Sequence, residues 1–439
     1  MDPLKQRFKE KATALAQEMK ALLKEHRDMK VDEVKLWQVF GGARGVKMMI
    51  WETSQLDPIE GIRFRGYSIP QLQELLPSGP MGEPKPEGLF WLMLVGEIPT
   101  EEQVDWLTAE LRRRETVPAH TFTMLDNLPE HTHPMTQFTM AIASMQTESV
   151  FARRYAEGMN KADYWEAVYE DALNIIARLP HIAAYIYRRT FRGNEHIAAD
   201  PQLDWAGNFA HMLGIDNIDF QGLMRLYMTI HADHEGGNAS AHTVHLVGST
   251  LSDPYLALSA GMNALAGPLH GLANQEVIKW IFDMLEELGT KTPSKQQIVD
   301  YVHKTLNEGK VIPGYGHAVL RQPDPRFTAQ RIYAQQHLAE SDIVKVVWQI
   351  YEIVPDILSS LGKVKNPWPN VDAHSGAILV HYGLTEYPFY TVLFGVSRAM
   401  GVLAATCWSR ALGMPLERPK SLTTALVKEM VAQATTEAG

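Results

Sequence analysis

Helical periodicity is the feature that most restricts the fold of this chain. Apolar residues recur every three to four positions; Leu4, Phe8 and Leu15, for example, lie on one side of a predicted helix over residues 4–27. A capping-box pattern at Thr100 predicts a helix that ends near Arg114. Further helices are expected over 87–96, 134–147, 161–178, 180–191, 204–213, 218–232, 239–249, 253–266, the segment after His270, 295–308, 324–338, 341–359, 373–383 and 388–413. A mainly α fold follows.

Strand-like sequence is confined to one region near the N-terminus. The runs MMIWET (48–53) and GIRFRG (61–66) are separated by an Asp-Pro break. They predict a small hairpin or sheet. No G-x-G-x-x-G or Walker pattern occurs, so these strands do not indicate a nucleotide-binding fold.

Charge and composition restrict the class of partner. The 439 residues allow two or three domains, and the net charge of -10 argues against nucleic acid or an acidic membrane as the main partner. An anionic substrate would need a local group of cations. The single cysteine, Cys407, lies in an apolar run; it excludes an internal disulfide and is expected to be a core residue. Apolar segments are interrupted by Asn263 and Arg398, so no membrane span is expected.

Residues 311–326 (VIPGYGHAVLRQPDPR) form the first candidate site. Gly314 and Gly316 permit close backbone approach on either side of a tight turn, and His317 can exchange a proton near neutral pH. Arg326 offers a planar fork of donors that suits a carboxylate or phosphate. An ordinary Pro/Gly turn with a surface histidine fits this segment alone equally well.

His270 and Asp372 are both predicted to lie where a helix begins. A helix N-terminus disfavours a charged imidazolium, so a neutral His270 could donate a hydrogen bond to a developing oxyanion; a loop histidine or weak cap is the alternative. Asp372 fits an N-cap, which would lower the pKa of its carboxyl group. A catalytic base would need burial to offset that effect, and Trp368 and Val371 could supply it.

Five His and Asp residues crowd into HADHEGGNASAHTVH (231–245). Gly236 and Gly237 prevent them from sharing one rigid helix face, and no H-E-x-x-H occurs, so a metal site is disfavoured. A polar pocket wall is the better interpretation of His234, Asn238 and Ser240.

Several cations have two interpretations. Arg398 lies in an apolar helix and must meet a carboxylate, either from the protein or from a substrate. Arg418, Lys363 and Lys365 could bind anionic ligands or simply be solvated.

Taken together, these segments resemble the citrate synthase family, of the mitochondrial, eukaryotic type. The likeness runs through nearly the whole chain, and many matches in one order are far more specific than any single motif. It rests on ETSQLDPIEGIRFRGYSIP, PEGLFWL, EIPTEEQV, HEGGNASAHT, SDPYL, LAGPLHGLANQEV, PGYGHAVLR, DPR, KNPWPNVDAHSG, FGVSRA and LERPKS.

The resemblance implies a reaction and three catalytic residues. Acetyl-CoA and oxaloacetate would condense through an enol and citryl-CoA to citrate and free CoA, with no tightly bound cofactor and no metal. Asp372 would remove the methyl proton, His270 would hydrogen-bond or protonate the thioester carbonyl as the enol forms, and His317 would polarise the oxaloacetate carbonyl and protonate the new alkoxide.

The resemblance also implies the binding residues and the architecture. The keto acid would be bound by His234, Arg326, Arg398 and, from the partner of a homodimer, Arg418. CoA would be bound by Arg44 (across the interface), Lys161, Val311, Gly314, Gly316, Arg321, Lys363, Lys365 and Asn370. Lys161 stands where the animal enzymes have arginine, which puts that contact in doubt. A two-domain helical fold is implied, with a large domain (1–271 and 384–439) and a small domain (272–383).

Alternatives stay open at this stage. A 2-methylcitrate synthase that uses propionyl-CoA would share most of these residues. A silent CoA-binding scaffold and a metal-dependent hydrolase are rivals from other classes. The N-terminal segment, which mixes acidic and basic residues, lacks the pattern of a transit or signal peptide. A bacterial cytoplasmic location is therefore expected, with a processed matrix form as the alternative.

Overall fold

The computed structural model describes residues 2–317, 319–362 and 364–437. Its α-helices are α1 Pro3–His26, α2 Leu36–Phe40, α3 Ile69–Leu75, α4 Pro86–Val95, α5 Glu101–Arg114, α6 Ala119–Asp126, α7 Pro134–Ser144, α8 Val150–Ala156, α9 Tyr164–Phe191, α10 Trp205–Leu213, α11 Ile218–Ile230, α12 Ala239–Ser249, α13 Pro254–Leu265, α14 Ala273–Leu288, α15 Lys295–Asn307, α16 Pro325–His337, α17 Asp342–Ser360, α18 Asp372–His381, α19 Tyr390–Ala411 and α20 Thr424–Glu437. The predicted mainly α fold is confirmed.

One small sheet accompanies the helices. Strands β1 (Ser54–Asp57), β2 (Gly61–Phe64) and β3 (Tyr67–Ser68) are antiparallel in the order β1-β2-β3. The GIRFRG strand is therefore confirmed, but the MMIWET strand is wrong, because β1 begins only at Ser54. The side chains of Trp51 and Thr53 instead donate to the buried Asp233 carboxylate, which fixes this segment to the interior without strand pairing.

The prediction of two helices over 161–178 and 180–191 is also wrong. A single helix, α9, continues through Pro180, which is buried within it. This helix packs along α19 and against α5, α7 and α10. Tertiary packing of a long buried face thus outweighs the local cost of a proline inside a helix.

Helix α19 forms the centre of the structure. Every residue from Tyr390 to Arg410 is buried. Gly401 allows close approach to the 231–234 segment, since a Cβ there would lie 2.3 Å from the Ala232 carbonyl oxygen. Together with the turn before it, Tyr387–Ala411 is long and apolar enough to cross a membrane, but its apolar window is wholly buried inside the protein, as in a core helix of a globular protein.

Helices α14 to α18 make most of their packing contacts with one another. Helix α18 packs on α14, α16 and α17, and α15 packs on α17. This group also touches the rest of the chain, through α16 against α11 and α3 and through α14 against α19. Residues on α18 and on the loops before α14 and α16 are therefore held close to residues on α11, α12 and α19.

Candidate active site

Two loops are joined side by side to bring His317 near the start of α18. The backbone N–H of Gly316 donates to the Trp368 carbonyl at 2.9 Å, and that of Asn370 donates to the Gly314 carbonyl at 2.9 Å. Gly314 has a φ of +80°, and a Cβ there would lie 2.9 Å from Val277. Glycine is needed at that position on both counts.

The proton on His317 can be assigned from its neighbours. Its Nδ1 accepts from the backbone N–H of Val319 at 3.0 Å and of Leu320 at 3.1 Å. Burial, aided by the Arg326 guanidinium, lowers the pKa of His317 to about 4. The ring is therefore neutral near pH 7, and its proton lies on Nε2, where it is available as a donor.

His270 has the opposite tautomer. It lies in the turn between α13 and α14, and its Nε2 accepts from the Ser240 backbone N–H at 3.2 Å. The Ser240 hydroxyl lies 2.9 Å from the same nitrogen. Burial lowers the pKa of His270 to about 3, and Arg398 adds to this effect. The neutral ring thus carries its proton on Nδ1. The predicted neutral state is supported, with burial rather than the helix dipole as the main cause.

Asp372 is the first residue of α18 and does not cap it. The N-cap position is Val371, and the Asp372 backbone N–H donates to Asn370 Oδ1 at 3.0 Å. Burial raises the pKa of Asp372 to about 7, against a lowering effect of Arg326. Its Oδ1 is buried without a hydrogen-bond partner in the described part of the chain. The capping interpretation is therefore wrong, and burial has the effect that a base near neutral pH requires.

Two buried arginines lie beside these groups. Arg326 forms an ion pair with Asp324, with Nε to Oδ1 at 3.0 Å and Nη2 to Oδ2 at 2.6 Å. Arg398 donates to the oxygens of Asn238 at 3.0 Å, of Ser240 at 3.2 Å and of the His231 backbone at 3.2 Å. Burial lowers the pKa of Arg398 to about 10, which still leaves it charged near pH 7.

The two arginines differ in how their charge is balanced. Arg326 has a carboxylate partner within the protein, Asp324. In the described residues, the hydrogen bonds of Arg398 go to neutral oxygens, although Asp233 is near enough to oppose the lowering of its pKa. Because a buried guanidinium is costly without a paired anion, Arg398 is well suited to bind a carboxylate ligand.

His234 completes the group. Its ring lies 5.4 Å from that of His317 in an edge-to-face arrangement, and its Nε2 is buried without a partner among the described residues. Burial lowers its pKa well below the ordinary value, with Arg326, His317, Arg398 and His270 all contributing. We call His234, His270, His317, Arg326, Asp372 and Arg398 the buried cluster.

The residues predicted to bind CoA lie in different surroundings. Val311 is 79% exposed, and the glycines and Asn370 form the joined loops described above. The Arg321 backbone N–H donates to Pro58 at 2.7 Å, and its guanidinium donates to the carbonyls of Val319 and Leu320. Lys365 is exposed, and Lys363 lies outside the described residues.

Three predicted residues have no described contact with the buried cluster. Arg44, Lys161 and Arg418 are all exposed. Lys161 lines a surface cavity of about 400 Å³ together with the buried Arg410. With Lys365, these residues are called the exposed cations below.

The remaining candidates have structural roles. His242 and His245 face Glu417, and the described residues contain no group of three or more His, Cys, Asp or Glu side chains arranged to hold a metal ion. Cys407 is buried, and burial raises the pKa of its thiol, so the expectation of a core residue is confirmed.

Sequence reasoning missed the residues that hold the site together. Asp233 accepts hydrogen bonds from Trp51, Thr53 and Ser54, and so ties the N-terminal segment to the 231–234 turn. Asp324 orients Arg326. The Asp-Pro-Arg spacing was a usable signal for the role of Asp324. The role of Asp233 had no local sequence signal, because Asp233 contacts residues about 180 positions away.

Comparisons with known proteins agree on one family. The model of the citrate synthase C-terminal domain matches residues 42–420. Mitochondrial citrate synthase from Xiphias gladius is 59% identical over 396 residues, which cover 90% of this chain and 84% of that protein. The mitochondrial enzyme from Daucus carota is 55% identical over 421 residues, 96% of this chain and 89% of that protein.

A solved structure gives the same fold. The citrate synthase of the archaeon Thermoplasma acidophilum was solved as a ternary complex with carboxymethyl coenzyme A and oxaloacetate. It matches with a TM-score of 0.74 over 88% of this chain and 95% of that one, at 22% identity.

Proposed function

The chain belongs to the citrate synthase family, and from this premise we infer that it condenses acetyl-CoA with oxaloacetate to give citrate and free CoA. Acetyl-CoA is a substrate, and no tightly bound cofactor is required. One observation carries the assignment of roles. A carboxyl group with a pKa raised by burial lies in one cluster with two neutral histidines. The position of the N–H in each ring is fixed, because the other ring nitrogen accepts a hydrogen bond from a backbone N–H.

Enolisation is the first step that these residues can perform. We assign Asp372 as the base that removes a proton from the acetyl methyl group. A pKa of about 7 makes it a stronger base than an ordinary carboxylate. His270 Nδ1–H would donate to the thioester oxygen as negative charge develops there. With its pKa lowered to about 3, the His270 ring is neutral near pH 7 and stabilises this charge as a hydrogen-bond donor.

Carbon–carbon bond formation follows at the ketone of oxaloacetate. His317 Nε2–H would polarise that carbonyl, and the enol carbon would attack its carbon atom. His317 would then pass its proton to the new alkoxide. Water next cleaves the thioester of citryl-CoA, which releases citrate and CoA. The fixed tautomer of His317 supports this role, because Nδ1 accepts from the loop backbone and the ring proton therefore lies on Nε2.

Binding of the dianionic keto acid is assigned to the cations and histidine of the cluster. Arg326, Arg398 and His234 would contact its carboxylates, and Arg418 would come from the partner subunit. The absence of a carboxylate among the hydrogen-bond partners of Arg398, in the described part of the chain, supports this assignment.

CoA is assigned to the joined loops and to the exposed cations other than Arg418. The backbone from Val311 to Gly316 would follow the pantetheine arm, with Asn370 and Arg321 beside it. Phosphates would meet Lys363, Lys365, Lys161 and, from the partner, Arg44. The exposure of Lys365, Lys161 and Arg44 is compatible with binding a solvated phosphate.

We further propose a homodimer and a two-domain division with residues 272–383 as the smaller unit. Helices α14–α18 pack mainly on one another, which supports that division. Closure of this unit over the cleft would exclude water until condensation is complete. Exposed apolar side chains on segments that flank the predicted interface residues, such as Phe40 and Leu416, support a partner surface.

We propose two alternative cellular locations, the bacterial cytoplasm and the mitochondrial matrix. The names of the relatives favour the matrix. Fractionation of the source cells with detection of the protein distinguishes them.

The substrate-preference assay tests the function. Release of free thiol is followed with oxaloacetate and either acetyl-CoA or propionyl-CoA. We expect a clear preference for acetyl-CoA, in line with the relatives named citrate synthase. A preference for propionyl-CoA would overturn the assignment.

A further inference from the structure

The backbone on either side of His234 is held by three side chains. The His234 N–H donates to Asp233 Oδ1 at 2.9 Å, and the Glu235 N–H donates to Ser54 Oγ at 2.9 Å. The carbonyls of His234 and Glu235 both accept from Asn238 Nδ2, at 3.1 and 2.6 Å. The peptide unit between His234 and Glu235 is thus held at both its N–H and its carbonyl.

The turn that carries His234 has an unfavourable backbone conformation. Glu235 has a φ of +54°, in the left-handed region, which a residue with a side chain adopts only where the surrounding structure enforces it. The next residue, Gly236, lets residues 49–54 pack directly on the turn. A Cβ there would lie 2.6 Å from Met49 Sδ and 2.7 Å from Trp51 Cε3. The turn therefore keeps its shape through contact with a segment far earlier in the chain.

Asp233 is the point where the turn and the 49–54 segment meet. Its carboxylate is wholly buried. Oδ2 accepts from Trp51 Nε1 at 2.9 Å, from Ser54 Oγ at 2.8 Å and from the Thr53 hydroxyl, while Oδ1 accepts from the His234 N–H. An ionised carboxylate can accept about four hydrogen bonds and has no donor that would clash with them. These four donors therefore match the charged form of Asp233.

Ser54 gives the turn a rigid support. It is the first residue of β1 and is paired with Phe64 of β2. Its hydroxyl donates to Asp233 and accepts from the Glu235 N–H, so one side chain makes two of the contacts that hold the turn. The position of the sheet is thereby transmitted to the backbone of His234.

We propose that Asp233 and Ser54 are positioning residues for His234, which direct its ring at the bound keto acid by fixing the backbone that carries it. The ring lies 5.4 Å from that of His317, so a change in this backbone shifts the ring within the buried cluster. Asp233 and Ser54 act through His234 and are not assigned a contact with the substrate. The inference rests on the proposed function, because it takes His234 as a ligand of oxaloacetate.

The chain offers a matched control for Ser54. The hydroxyl of Ser149 also donates to a buried carboxylate, that of Asp171, at 2.7 Å, and accepts from a backbone N–H, that of Ala152, at 3.0 Å. This second pair lies at the start of α8. Ser54→Ala and Ser149→Ala therefore remove the same kind of contacts from two different places.

The first test compares these two variants. Ser54→Ala should raise the KM for oxaloacetate about tenfold, because the loss of its hydrogen bonds releases the peptide unit that orients the His234 ring. Its kcat and its KM for acetyl-CoA at saturating oxaloacetate should change little. Ser149→Ala should lower the melting temperature to a similar extent and keep the wild-type KM for oxaloacetate. An unchanged KM in Ser54→Ala, or an equal rise in Ser149→Ala, would overturn the proposal.

The second test removes the charge of Asp233 at nearly constant shape. In Asp233→Asn the amide accepts at one end only, so its NH2 group faces either the His234 N–H or the donors on the other side. We expect the KM for oxaloacetate to rise by at least about tenfold. Asp171→Asn is the control, because Asp171 also accepts from two backbone N–H groups and is wholly buried. It should lose stability without a change in this KM, and an equal rise would show that the effect of Asp233→Asn is general damage.

A double variant tests whether the effect passes through His234. If it does, Ser54→Ala combined with His234→Ala should have the same KM for oxaloacetate as His234→Ala alone. A further increase would contradict the positioning role. His234→Ala also separates this proposal from the proposed function. If it leaves the KM unchanged, the assignment of His234 as a ligand is wrong; if it raises the KM while Ser54→Ala does not, only the positioning role is wrong.

Discussion

In the buried cluster, removal from water shifts the pKa values of Asp372 and the three histidines, whereas the exposed cations stay in contact with solvent. Burial is the main cause that raises the pKa of Asp372 and lowers the pKa values of His234, His270 and His317. Exposed charges such as Lys365 are screened by salt and contribute little individually. On the proposed assignment, the three catalytic groups would therefore all come from one chain. CoA recognition would instead use charges that acquire a fixed geometry only with a ligand or a second chain.

The largest expected effect comes from Asp372→Asn, which removes the base but keeps the shape of the side chain. We expect kcat to fall about 10³-fold, measured by thiol release. Stability should respond in the opposite direction. The pKa of Asp372 is raised to about 7 in the folded state, so burying its charge costs stability that grows as the pH rises from about 4, the pKa in the unfolded chain, and is complete above about 7. The variant should thus melt above the wild type at pH 8, and the difference should shrink towards zero as the pH falls to about 4 and below. A variant with full activity would show that the cluster is not catalytic.

The next effect is that of His270→Ala, which removes the neutral donor. We expect a loss in kcat of about 10²–10³-fold. His303→Ala is the matched control, because His303 is exposed on α15; it should keep wild-type kcat. Equal activities for the two variants would contradict the role of His270.

Much of the helical fold could be predicted from local pattern. The helix at Glu101–Arg114 begins and ends where its capping box and terminal arginines indicate. Two of the failures have a common cause, which is contact between residues far apart in sequence. The MMIWET segment is held by Asp233, and α9 passes through Pro180 because its neighbours bury it. Short helices such as α6 and α8 were missed, since they have too few turns for a clear period.

The predicted residues of the buried cluster lie together in the structure, but local sequence gave only some of their charge states. Local sequence favoured an N-cap role for Asp372, which would lower the pKa of its carboxyl group. The structure gives a raised pKa because burial disfavours the charged carboxylate more strongly than Arg326 favours it. Likewise, the tautomer of His270 depends on the backbone N–H of Ser240, thirty residues away. No local pattern carries that information.

A smaller effect is expected when Arg398 is replaced by lysine. Lysine keeps a positive charge but lacks the planar fork that reaches Asn238, Ser240 and the His231 carbonyl. We expect the KM for oxaloacetate to rise about 10- to 100-fold, with a lesser change in kcat. Arg410→Lys is the control, since Arg410 is buried in the same helix but lines a different cavity. An effect of equal size in the control would indicate general damage to α19.

The pH profile of activity should show the ionisation of one carboxyl group and of no histidine. With the pKa of Asp372 near 7, kcat/KM for acetyl-CoA should rise with pH and level off above that value, falling about tenfold per pH unit well below it. The pKa values of His270 and His317, about 3 and 4, keep both rings neutral across pH 5–8. A second ionisation near 6.5 that disappears in His270→Ala or His317→Ala would contradict the neutral-donor assignment.

The smallest effect is expected among the exposed cations, where it also sharpens the contrast with the cluster. Lys365→Ala should raise the KM for acetyl-CoA a few-fold at low ionic strength, because one phosphate contact is lost. The difference should vanish at about 0.5 M salt, because charges in solution then interact over only a few ångströms. Lys345→Ala, another exposed lysine, which pairs with Glu340, is the control and should leave this KM unchanged. Neither variant should alter kcat or the KM for oxaloacetate. If Lys365→Ala lowered kcat as strongly as a cluster variant, CoA recognition and chemistry would not be separable in the way that the difference in burial implies.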